Sequence, residues 1–347
     1  MPFISHAIAT PPPVYSITLG GSTSPTNIVR WYEVQGDYIK FINTTTVQAS
    51  GSVSSGLWNN SGNSMAVPGS LSPGVYIYNR TGTNFTRILG TPVIPSVGRM
   101  DWSPDGNSLM VGSIAAPYVF LLNRSGDTFT LTTSTPWTSS GVFTVSSEPV
   151  PAWSPDGKSV AFAIRQAGGI NLVVFNRTGT DTFSLISTSS FVGGLPTGGG
   201  YTLAWNQDGS SIAHGGPTSP YITIYNRSGD TFTKLSNPAT LPTGAVFNID
   251  WSPDGGRLLI GTSVVPRFYA YNRSGNTFTK IATPAQQPAN NVTGLKISGT
   301  GDLVVYGVYL NPSIYYRFTG TATYTLLNSP VNNTSYPQQV GIFPGRY

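Results

Sequence analysis

The chain has 347 residues, with 40 Gly, 28 Pro, 18 Lys plus Arg, 13 Asp plus Glu and no Cys. A net charge of +5 without any basic run gives no support to nucleic-acid binding, and the lack of Cys removes disulfides, thiolate metal sites and Cys nucleophiles together. Charged residues at 9% amid abundant Gly, Pro, Ser and Thr argue against a helical protein, while aromatics at 12% supply a core and argue against disorder.

Met1-Pro2-Phe3-Ile4-Ser5-His6 has no basic start and no long apolar segment, so no signal peptide is expected. No stretch reaches the roughly 18 apolar residues of a bilayer span, and no membrane insertion is expected. Residues 1–13 read as an N-terminal arm, and 14–347 as one domain. Val14 to Leu19, Ile28 to Tyr32 and Tyr38 to Ile42 read as the second, third and fourth strands of a first sheet. Two segments compete for its innermost strand. One is Phe3 to Ile8, joined through Pro11-Pro12-Pro13; the other is a closing strand at 339–343, where Gln339-Val340-Gly341-Ile342-Phe343 resembles Ser55-Gly56-Leu57-Trp58. The C-terminal segment is favoured, because one sheet shared by both ends would stop the seam from opening and would leave no unpaired edge there.

From there one pattern recurs. Ile249-Asp250-Trp251-Ser252-Pro253-Asp254-Gly255 is followed by the apolar runs Leu258 to Gly261 and Phe268 to Tyr271, the turn Asn272-Arg273-Ser274-Gly275 and the short run Phe278 to Ile281. Pro sets φ for the first turn and Asp-Gly completes the reversal; Asn and Gly do the same for the second. The second-turn glycines are Gly36, Gly82, Gly126, Gly179, Gly229, Gly275 and Gly320, spaced 44 to 53 residues apart. An independent register is the residue that ends the first strand: Trp58, Trp102, Trp153, Trp205, Trp251, Ile297 and then Phe343. Four-stranded units at this spacing predict an all-β, seven-bladed β-propeller of antiparallel blades.

Trp-Ser-Pro-Asp-Gly before an apolar strand resembles the WD40-like repeat of the TolB type, over nearly the whole chain. The Asn-Arg-Ser-Gly-Asp-Thr-Phe-Thr segment is similar to propeller repeats of tailed-bacteriophage virion proteins. The shared residues are turn and core positions, so the resemblance carries over no catalytic residue.

The units differ in length at Thr135 to Val150 and Ser187 to Gly200, between fourth and first strands. Those connections share a face with the second-to-third loops, and binding commonly uses variable loops on a fixed scaffold. The candidate partner or glycan contacts on that face are Trp137, Glu148, Arg165, Gln166, Phe191, Arg267 and Tyr309. Most carboxylates are accounted for by turns, and Asp101 and Asp250 by the position before the register Trp; Glu33 and Glu148 remain, too far apart for paired acid–base work. His6 and His214 read as an arm contact and a loop-end residue. The arginines Arg80, Arg124, Arg177, Arg227, Arg273 and Arg317 read as partners of turn aspartates. The recurrent aspartates are spread round the ring, so they do not converge on calcium.

The resulting expectation is a non-enzymatic structural virion protein of a tailed phage: a capsid decoration, tail or fibre-associated component, made in the host cytoplasm. It would dock other virion proteins through one face and the arm, without cofactor or metal. The alternative is a lectin-like host-recognition propeller that binds a surface glycan.

Overall fold

The computed structural model describes residues 14–21, 28–35, 38–46, 56–132, 136–143, 149–165, 169–308, 311–320, 323–327 and 340–345, except 71, 83, 140 and 141. Residues 1–13, the expected arm, lie outside the described residues.

Among the described residues, six four-strand blades are each cut from one continuous stretch. They are named here by the register residue that ends the inner strand. The inner strands are Leu57–Trp58, Val97–Trp102, Val150–Trp153, Thr202–Trp205, Val246–Trp251 and Val292–Ile297. In each, the following strands pair outwards in chain order, all antiparallel. The Trp205 blade gains a fifth strand, Phe191–Val192, which pairs parallel to its outer strand Thr231–Lys234. The expected seven-bladed propeller is therefore corrected: the repeat makes six blades.

The remaining four-stranded sheet is composite and has different proportions. Val340–Gly345 pairs antiparallel with Val14–Gly21, which leads on to Ile28–Gln35 and Tyr38–Thr46. Its three N-terminal strands run eight, eight and nine residues, and a register shift at Trp31/Tyr32 interrupts one ladder. The inner strands follow one another round the ring, and Val340–Gly345 touches both the Ile297 and the Trp58 inner strands. The chain's ends are thus joined in one sheet between the last and first blades.

The two turns repeat because their chemistry repeats. In the Trp102 blade the Ser103 hydroxyl accepts the Ser108 N–H at 2.9 Å and Asp105 accepts the Asn107 N–H at 3.0 Å, while Gly106 takes φ +70°. Gly82, Gly126, Gly229 and Gly275 have φ of 57–59° with nothing near a built Cβ, so backbone conformation alone demands glycine there.

Adjacent blades are bolted by the same residues. Arg227 reaches back to Ser159 of the preceding blade at 2.7 Å, and Arg273 to Ser211 at 2.9 Å and Asn226 at 3.2 Å. Each guanidinium also lies over its own blade's register Trp, Arg227 on Trp205 at 5.1 Å and Arg273 on Trp251 at 5.5 Å. The expected pairing with a turn aspartate holds at Arg317, which meets Asp302, whereas Arg227 and Arg273 meet hydroxyl and amide acceptors across the blade junction. Trp102, Trp205 and Trp251 are buried and each donate Nε1–H to an inner-strand carbonyl of the preceding blade, that of Leu57, Ala152 or Ala204, at 3.1 Å.

Candidate functional site in the central channel

The inner strands surround a cavity of about 350 Å³ lined by all six blades. On each strand, alternation turns the residue before the register position towards it. Read round the ring, those residues are Leu57, Asp101, Ala152, Ala204, Asp250 and Lys296. Three apolar positions and three charged ones thus share one layer.

The charged three interact. Asp250 Oδ2 accepts the Ile297 N–H at 2.9 Å, and Asp250 Oδ1 lies 3.3 Å from Lys296 Nζ. Lys296 leaves 41% of its side chain exposed to the cavity, against 15% for Asp250. The neighbouring Asp250 carboxylate raises the Lys296 pKa, outweighing the effect of burial, with a further contribution from Asp101. Lys296 is therefore a fixed cation near neutral pH.

Asp101 comes from the Trp102 blade, three blades from Asp250. Its Oδ2 accepts the Trp153 N–H at 2.7 Å. Burial pushes its pKa up to about 6, although that hydrogen bond and the Lys296 charge both favour the ionised form. Trp153 Nε1 has no hydrogen-bond partner, unlike the indoles of Trp102, Trp205 and Trp251. Asp101 at this position thus coincides with the loss of the indole-to-carbonyl bond. Asp101, Asp250 and Lys296 can bind a polar group from two sides and hold a proton near neutral pH. Sequence reading treated both aspartates as structural. The signal that marks them is compositional: at the positions before Trp58, Trp153 and Trp205 the residues are apolar.

The sequence-derived contacts are scattered. Trp137 is 1% exposed, packed against Phe162, Phe175 and Phe183, and donates Nε1–H to Val119 O at 3.1 Å. Phe191 is buried, stacked on Phe232 with centroids 4.8 Å apart. Both are core residues: Trp137 packs among residues of the Trp102 and Trp153 blades, and Phe191 among residues of the Trp153 and Trp205 blades. Arg267 is half-buried, with Nη1 3.1 Å from Pro288 O. Arg165 is exposed and lies 4.6 Å over the Tyr201 ring. Glu148, Gln166 and Tyr309 lie outside the described residues, as does His6. Phe343 falls in the closing strand Val340–Gly345.

His214 is buried rather than at a loop end. Its Nε2 lies 3.2 Å from Asn171 O, and burial lowers its pKa to about 4.

No protein-family model and no curated protein matches the chain. Solved structures do. The periplasmic gluconolactonase of Pseudomonas aeruginosa is 14% identical and matches over 95% of this chain and 99% of its own, with a TM-score of 0.68. A Bacteroides fragilis protein provisionally named a 6-phosphogluconolactonase is 12% identical over 99% of both chains, with a TM-score of 0.70. A functionally unknown protein of Desulfotomaculum acetoxidans is 9% identical over 96% of this chain and 99% of its own, with a TM-score of 0.72. The expectation of a non-enzymatic virion component is corrected by these matches: two of the three matched proteins bear lactonase names and none bears a virion name. At such identities the likeness establishes the fold alone, and the chain is a β-propeller.

Proposed function

We propose that the protein is a hydrolase of small polar cyclic esters and that the reaction takes place in the central channel. The observation that carries this reading is geometric: Asp101, whose carboxyl pKa burial pushes up to about 6, shares one cavity with Asp250 and the Lys296 ammonium. A general base works best when its pKa lies near the working pH, and perturbed groups in clefts mark functional sites. The cavity volume of about 350 Å³ falls in the range of small-ligand pockets. The lactonase names of the structural neighbours supply the ester class and nothing about residues.

In this reading ionised Asp101 takes a proton from water as the water oxygen bonds to the ester carbonyl carbon. The carbonyl oxygen becomes an oxyanion, stabilised by Lys296, which Asp250 keeps charged and oriented. The tetrahedral centre collapses, its ring C–O bond breaks, and the leaving oxygen takes the proton back from Asp101. The product is the open hydroxy acid, which ionises in water.

The test is proton release from glucono-1,5-lactone at pH 6.5 by the purified full chain, against the spontaneous rate. Acceleration is expected, reduced by about 10²–10³-fold in Asp101→Asn and in Lys296→Met. No acceleration with this lactone, its 6-phosphate or a panel of simple γ- and δ-lactones would sink the reading.

A further inference from the structure

The channel cavity has a second layer on the side of the variable loops. Thr202, Asn248 and Gly294 stand two residues before Ala204, Asp250 and Lys296 on three neighbouring inner strands, and all three line the cavity. Alternation puts them on the same side of their strands as the charged layer. Gly294 brings no side chain, so Thr202 and Asn248 supply the chemistry of this part of the wall.

Asn248 is oriented by the protein itself. Its Nδ2 donates to Val292 O of the next blade at 2.9 Å. A carbonyl oxygen can only accept, so the nitrogen and oxygen of the amide are fixed, and Oδ1 is presented as an acceptor. Thr202 is 8% exposed, and among the described residues its hydroxyl has no hydrogen-bond partner. A hydroxyl so deeply placed is ordinarily paired, because leaving it unpaired is costly. A fixed acceptor and an unspent hydroxyl on adjacent strands match the hydroxyl groups of a ligand, which both donate and accept.

The turn side of the charged layer departs from the repeat in the same direction. Asn60 and Gln207 line the cavity at the position where the Trp102 and Trp153 blades place Pro104 and Pro155. Each exchange gives up the fixed φ of proline for a side chain that hydrogen-bonds. Asn60 Nδ2 donates to Pro104 O at 3.1 Å, which leaves its Oδ1 for a ligand. Breaks in a strict repeat that gather at one cavity wall mark function rather than folding.

We propose that the channel recognises a polyhydroxylated ligand and that Thr202 and Asn248 bind its hydroxyl groups. A strand rises about 3.3 Å per residue, so these contacts lie roughly 6–7 Å along the channel from the charged layer, the breadth of a substituted six-membered ring. The proposal rests on the channel being the ligand site, as in the reading above, but not on the chemistry assigned there. Within that reading it makes the substrate a hydroxylated lactone rather than a bare one.

The test uses two rings that cannot be hydrolysed: 1,5-anhydro-D-glucitol, which is hydroxylated, and tetrahydropyran, the same ring without hydroxyl groups. In NMR titrations of the full chain the hydroxylated ring is expected to bind about tenfold or more tightly than the bare one. Thr202→Val keeps the side chain's shape and removes its hydroxyl. It should weaken binding of the hydroxylated ring about tenfold while the thermal midpoint stays at or above the parent's, and Thr202→Ser should restore binding. Asn248→Ala should also weaken binding, and Thr202→Val decides the matter if that chain does not fold. Equal binding of the two rings, binding of neither, or a Thr202→Val chain that binds as the parent does or melts below it overturns the proposal. Selective binding without hydrolysis of any lactone counts against the chemistry alone. Hydrolysis of bare and hydroxylated lactones at equal rates counts against this inference alone.

Discussion

Asp101 is a residue the fold would be better without. Holding its pKa near 6 rather than 3.8 costs at most on the order of 3 kcal/mol at pH 8, where the folded chain must keep a partly buried charge. Asn in its place can still accept the Trp153 N–H. Asp101→Asn is therefore expected to raise unfolding stability at pH 8 by about 1–3 kcal/mol in urea denaturation while hydrolysis falls, the trade-off of a functional group. A drop in stability would mark Asp101 as structural. His214 acts with the opposite sign. Its folded pKa, about 4, lies below the ordinary 6.5, so the unfolded chain binds the proton first and stability falls as pH drops below 6.5. At pH 5 the loss relative to neutrality is about 2 kcal/mol, and protonation of Asp101 offsets about 1 kcal/mol of it. Urea midpoints at pH 7 and 5 should accordingly differ more in Asp101→Asn than in the parent and less in His214→Gln. An identical pH response in all three chains would contradict this assignment.

At the scale of the element, the turns and the blade junctions are one device. Ser, Asp and Gly fix the first turn, and Asn and Gly the second. In the Trp102, Trp153, Trp205 and Trp251 blades the Arg between them ties the blade to the one before, and Arg177, Arg227 and Arg273 lie over their own blade's Trp. Arg273→Lys keeps the charge but loses the fork that meets Ser211 and Asn226 and the flat contact with Trp251. It is expected to cost about 1–2 kcal/mol in denaturation, and an unchanged midpoint would refute the bolting role. The repeat was legible because its turns need particular residues at particular φ. The buried role of Trp137 was not legible: an aromatic outside every register gives no sign of which surface it covers. It fills the space among Phe162, Phe175 and Phe183, so Trp137→Ala should cost about 3–5 kcal/mol. A stability within 1 kcal/mol of the parent would return it to the surface. The Asp101–Lys296–Asp250 layer was hidden for a related reason. Each residue holds the same place in its own repeat, and only ring closure brings distant blades to one cavity.

The whole molecule turns a one-dimensional repeat into a site. Six repeat blades and one composite sheet arrange the inner strands about a channel, with carboxylates contributed three blades apart. Pairing of Val340–Gly345 with Val14–Gly21 joins the ends, so deleting residues 340–347 removes a whole strand of the closing sheet. That truncation is expected to lower the thermal midpoint and broaden the transition; an unaltered melt would show that closure lies elsewhere. The measurement that bears most directly on the channel as a reactive site is the pH dependence of lactone hydrolysis by the intact chain. The rate over background should rise through an apparent pKa near 6, as Asp101 ionises, and that limb should vanish in Asp101→Asn. A rate over background that is flat across pH 5–8, or a limb that survives in Asp101→Asn, would contradict the account.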